Sequence, residues 1–238
     1  MGLIEFEMPS AEWDSLVLEP DVRETLGGET LPDPGEPLTE RFSIGGPVVR
    51  ALVPGDPVLD SDAQAFVAAA GATSRFCVVD VACSFRPHTD ERFFSAWLQV
   101  SMSRADELTD PAPIAWSMEP LRAVDPVEIS RTVRLGPNLK FLSAGEVDWD
   151  KKYTKNEYFI EGLYLLNDNP AWEFHQTSAS QIRGSHLLRF VAQLPTGVSV
   201  TGRLGLGAEL ERRKFGVNRP LPYTPKLSSR LQKGFSLV

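Results

Sequence analysis

From residue 76 onward, apolar side chains recur at every second position, and turn residues break the pattern at short intervals. In 76–86, Cys77, Val79, Val81, Cys83 and Phe85 share one face. In 93–104 the sharing residues are Phe94, Ala96, Leu98, Val100 and Met102. In 198–210, Val198, Val200, Leu204, Leu206, Ala208 and Leu210 stand against Ser199, Thr201, Arg203 and Glu209. Period two is what a strand with one buried face requires, because successive side chains point to opposite sides of a sheet.

The same reading predicts strands near 47–53, 113–119, 127–135, 139–149, 158–166, 171–177 and 186–194. Asn167-Asp-Asn-Pro170 makes 158–177 a hairpin, and Pro195-Thr-Gly197 is read as linking 186–194 to 198–210 in the same way. About ten strands at this spacing predict an all-β fold. The expected form is an antiparallel two-layer β-sandwich, jelly-roll or Greek-key like, with a closed barrel as the alternative.

One or two short helices complete the prediction. Asp60 or Ser61 caps an alanine-rich run that Gly71 ends. A second short helix is expected to open at Ser10, between Pro9 and Trp13.

Charge divides the chain into three parts. Residues 1–46 read as an acidic, Pro/Gly-rich extension, 47–211 as the sandwich, and 212–238 as a basic, proline-containing tail. Residues 1–40 hold eleven acids against Arg23 alone, and 211–238 hold seven bases against Glu211. Such opposite ends suit docking between arms, within one chain or between neighbours. They equally suit two solvated termini. The net charge of −8 and a pI near 5.0 oppose nucleic-acid binding by the fold as a whole, leaving only a weak contact through Arg212, Arg213, Lys214 and Arg219.

Location follows from two further features. The start, Met1-Gly2-Leu3-Ile4-Glu5, has neither the basic nor the apolar part of an export signal. Six strand residues separate Cys77 from Cys83 by about 20 Å, beyond disulfide reach. Both point to a cytoplasmic location, with no membrane span. A composition rich in Ala, Gly, Pro, Arg and Asp fits a GC-rich bacterial source.

Catalytic signatures are missing: there is no nucleophile elbow, no P-loop and no His-Glu-x-x-His. The glycines of Gly202-Arg-Leu-Gly205-Leu-Gly207 lie in a strand pattern and are read as allowing a bend or close packing, not as a phosphate cradle. Parity sends His175 outward beside Glu173 and His186 inward, and places His88 in a turn, so no metal site and no cofactor is expected. Asp80 interrupts an apolar run and is either solvated or paired with a base such as Arg131. Phe93 and Trp97 fall on the polar side of their strand and are candidate binding aromatics, with Asp80, Arg131 and His175 as further candidates. The resulting expectation is a non-enzymatic protein-binding or self-assembling module. An enzyme or small-ligand binder with its site on sandwich loops is the alternative.

Overall fold

The computed structural model describes residues 13–20, 36–57, 59–105, 111–124, 128–129, 134–135, 139–140, 158–177, 180–212, 221–225 and 233–237. Its strands are β1 (Trp13–Pro20), β2 (Leu38–Gly45), β3 (Val48–Leu52), β4 (Ser74–Phe85), β5 (Glu91–Arg104), β6 (Ile114–Glu119) and β7 (Arg122–Val124). The short β8 (Glu128–Ile129), β9 (Arg134–Leu135) and β10 (Leu139–Lys140) follow. Then come β11 (Tyr158–Leu163), β12 (Ala171–His175), β13 (Gly184–Pro195), β14 (Val200–Arg212), β15 (Leu221–Pro225) and β16 (Lys233–Leu237). One helix, α1 (Ser61–Ala70), lies between β3 and β4.

The expected all-β antiparallel sandwich is what forms. Hydrogen bonds run along β6-β13-β4-β2-β1-β15-β14-β5-β12-β11-β7-β8, and this path folds back on itself into two packed layers without closing into a barrel. β6, β13 and β4 belong to the first layer; β14, β5, β12 and β11 belong to the second. Aromatic contacts mark the seam: Phe85 meets Phe174 edge to face at 5.0 Å, and Trp172 meets Phe190 at 6.3 Å. The chain passes from one layer to the other between β4 and β5 and again between β13 and β14.

The period-two faces explain this packing. The inward set of β4 and the inward set of β14 lie in one core with Phe174, Phe190, Leu188 and Leu98. Beginning β4, however, is a run apolar on both sides. Phe76 and Val78 face outward and are buried by α1 in a second cluster with Leu52, Leu59, Val67 and Val191. Asp80 is the next outward residue, at the margin of that cover, so the chain turns polar where the helix stops shielding it. The helix is held as expected: Asp60 Oδ1 accepts from Ala63 N at 2.8 Å, and Gly71 caps the end.

Three local expectations differ from the structure. Residues 195–197 do not close a hairpin. β13 pairs with β4 and β6, β14 pairs with β5, and the turn carries the chain from one layer to the other. Trp13 opens a strand and not a helix, because β1 finds partners in β2 and β15 and hydrogen-bonding within the sheet outweighs a weak local cap. Residues 9–12 lie outside the described part. The ends of the chain also do more than extend: β1 and β2 join the sheet path, and β15 and β16 both pair with β14. The hairpin of β11 and β12 is as expected, with Leu163 opposite Ala171. Its turn is tied to the first layer, since Leu166 N donates to Ala115 O and Ala115 N donates to Asn167 O, both at 2.8 Å.

Candidate functional site

The outer face of the second layer gathers the exposed aromatic and charged side chains most closely. β5 supplies Trp97, and β12 pairs beside it with Glu173 opposite Trp97 and His175 opposite Ser95. β11 adds Glu161 opposite Glu173, and β14 adds Gly207 opposite Trp97 and Glu209 opposite Ser95. Trp97 and His175, both expected to face outward, are therefore brought onto one face of neighbouring strands.

Glycine makes room for the indole. A Cβ at Gly207 would fall 2.4 Å from Trp97 Nε1, and one at Gly205 would fall 3.4 Å from its Cζ3. The ring therefore lies across the β14 backbone, covering both glycines, while Trp97 itself stays half-buried. On the opposite, inner side, a Cβ at Gly202 would fall 2.2 Å from the Phe235 ring. The Gly202–Gly207 run thus serves close packing of rings on both faces, as the strand reading expected.

Phe93 is a correction. It is 1% exposed and packs edge to face on Phe85 and Phe42. The cause is a bulge: Ser95 opposes Glu209 while Phe93 opposes Leu210, so Phe94 is the extra residue and the alternation inverts before it. Phe94 takes the exposed place, with the Arg92 guanidinium 4.8 Å above its ring. Tyr158, on β11, is covered in the same manner by Arg122 at 5.1 Å.

The charges on this face are unevenly matched. Arg92 pairs with Glu211 at 2.8 Å and Arg122 with Glu161 at 3.5 Å. Glu173 faces the His175 ring at 3.4 Å, and Glu209 accepts from the Ser95 hydroxyl at 3.1 Å. Glu161 and Glu173 stand directly opposite one another, an arrangement of like charges that disfavours the pairing.

The other sequence candidates lie elsewhere. Asp80 is on the first layer and its partner is Arg189, the residue opposite it on β13, through two hydrogen bonds of 2.6 and 3.2 Å. Arg131, the other base weighed for Asp80, lies outside the described residues. Arg212 is no free tail cation: its Nε donates to Asp90 at 3.0 Å, which holds the Asp90 carboxyl below its ordinary value. Arg213, Lys214 and Arg219 are outside the described residues.

A second polar cluster, which parity reasoning missed, sits at the β4–β5 corner. His88, Asp90 and Glu91 place one ligand-type atom each within 4.8 Å of one another. A guanidinium already bridges two members of this group. Arg41 Nε donates to Glu91 Oε2 at 2.6 Å, and Arg41 Nη2 lies 3.0 Å from His88 Nδ1. Glu91 Oε2 also accepts from His88 N at 2.9 Å. This corner reads as a clasp tying β2 to the β4–β5 turn. Only residue spacing across the fold brings Arg41 there, fifty positions from Glu91, so no local motif could have revealed it.

His186 is inward, as expected, ringed by Phe85, Phe159 and Phe174 at 5.3–5.8 Å. Burial among these rings lowers its pKa, only partly opposed by a hydrogen bond with the Arg183 carbonyl. A lowered folded-state pKa means the unfolded chain takes up the proton first. Its contribution is fully present above the unfolded value of about 6.5 and is lost as the pH falls below it. Urea midpoints at pH 7.5 and 5.5 should show a drop in the parent protein that His186→Phe reduces. An equal drop in both proteins would remove His186 as its source.

The two thiols are inert by the same logic. Burial pushes Cys77 up to about 12 and raises Cys83 as well, so neither is a nucleophile at neutral pH. No family model matches this chain, and no curated protein is similar to it.

Proposed function

We propose that this chain is a non-enzymatic protein-binding or assembly module, acting through its β-sandwich and the opposite charges of its ends. The observation that carries this reading is the outer face of the second layer. It displays Trp97, Phe94 and Tyr158 with Arg92 and Arg122 on paired strands, and aromatic and arginine side chains are those that protein interfaces enrich. Aromatic side chains fixed this way lose little freedom on contact.

A concavity of about 270 Å³ beside β13 offers less to catalysis. It is lined by Ser74, Pro111, Ala112, Ile114, Gln193, Leu194 and Pro195, and so holds no ionisable side chain among the described residues. The buried thiols suit a reducing compartment, and a cytoplasmic setting is proposed on that ground. No described helix is long and apolar enough to cross a membrane. The basic tail remains the one route to a weak, salt-sensitive nucleic-acid contact.

Self-assembly is tested by zero-length carboxylate–amine cross-linking of a mixture of isotopically heavy and light chains. The reading predicts cross-linked peptides that join one heavy and one light chain. Cross-links confined to single chains at all concentrations would contradict assembly.

A further inference from the structure

We infer that the carboxylate-rimmed indole of Trp97 receives a cationic side chain from the basic C-terminal segment of a second copy of this chain. This inference rests on the assembly reading above and names its contact. Three features of the face point to a cation. The Trp97 ring lies with one side on the glycine backbone of β14 and is half-exposed, so its other side is presented outward. A tryptophan face is the strongest aromatic acceptor for an ammonium or guanidinium group.

Carboxylates flank that ring on the two neighbouring strands. Glu173 is directly across on β12, Glu161 lies one strand beyond it, and Glu209 is two residues along β14 from Gly207. Glu161 has Arg122, whereas Glu173 and Glu209 have no guanidinium or ammonium partner among the described residues. Third, the Glu161–Glu173 pair sets two like charges opposite each other, which an incoming cation relieves.

The chain itself carries the matching group. The stretches 213–220 and 226–232, on either side of β15, contain Arg213, Lys214, Arg219, Lys226 and Arg230 and not one acid. Head-to-tail use of two different surfaces, face and segment, makes the contact heterologous, so copies can close into a ring or extend. Docking a charged segment beside a carboxylate-rich face also raises the association rate at low salt.

The test is the association constant of the full chain by sedimentation equilibrium, at about 20 mM and about 300 mM salt, which brackets strong and weak screening. Four proteins are compared: the parent, Trp97→Ala, the pair Glu173→Gln/Glu209→Gln, and Lys226→Gln/Arg230→Gln. Circular dichroism and urea midpoints confirm that each is folded. The two charge pairs change polar groups without removing core atoms, so they stand if Trp97→Ala is destabilised.

The expected result is association in the parent that weakens with salt. Loss of the cation–π contact or of the carboxylates should weaken it about tenfold, and the tail pair should do the same. Association unchanged in both charge pairs would overturn the Trp97 contact while leaving assembly through another surface intact. A parent that stays monomeric at every concentration would overturn this contact and self-assembly together.

Discussion

Replacing Arg41 with methionine should lower the unfolding free energy by about 3–5 kcal/mol, the range seen when one member of a buried ion pair is removed. The Glu91 side chain has no exposed surface, and among the described residues Arg41 is its only cation within hydrogen-bond reach. Arg212 lies 4.0 Å from the other carboxylate oxygen, which makes no hydrogen bond. Removing Arg41 therefore leaves a desolvated charge with only the His88 N–H and the more distant Arg212 to compensate it. The double replacement Arg41→Met/Glu91→Gln should recover most of the loss, because the charge that needed a partner is gone. Urea denaturation of the two single variants and the double gives the coupling. A loss below about 1 kcal/mol for Arg41→Met would mean that water reaches this corner and the clasp is a surface pair.

Trp172→Ala should cost about as much, roughly 3–5 kcal/mol, through a cavity between the layers. Trp172 is fully buried, faces Phe190 across the seam, and donates its Nε1–H to the Pro120 carbonyl at 3.0 Å. Trp172→Phe keeps much of the packing but strands that carbonyl, for a loss of about 1–3 kcal/mol. Thermal melts and urea midpoints should rank the parent first, then Trp172→Phe, then Trp172→Ala. The same Trp→Phe change at half-exposed Trp97 should be nearly neutral. Equal losses at the two tryptophans would contradict the assignment of Trp172 to the core and Trp97 to the outer face.

The long strands were legible because their alternation is set by one core. β4, β5, β13 and β14 each carry inward residues that can be counted off at every second position. Phe93 shows where such counting ends. A bulge is a property of two strands in register, Glu209 and Leu210 against Ser95 and Phe93, and one strand's sequence does not contain it. Asp80 was recognised as an interruption, but its partner Arg189 is fixed by cross-strand register over 109 positions. Likewise β1, β2, β15 and β16 sit in segments that look like arms by charge and proline content. Their strand character comes from the edges they cover.

Those integrated ends change how the opposite charges should be probed. Deleting residues 1–40 removes β1 and the start of β2, and deleting 212–238 removes β15 and β16, so truncation confounds loss of an arm with loss of sheet. Neutralising charges in place preserves the fold and isolates the electrostatic effect.

The most direct test of the assembly account is the mass of the full chain in solution, by light scattering over a concentration series at low and high salt. The account predicts association at low salt, as a ring or an extending chain, that dissociates as salt screens the contact between face and basic segment. A monomer of 26.3 kDa at every concentration and salt would contradict it.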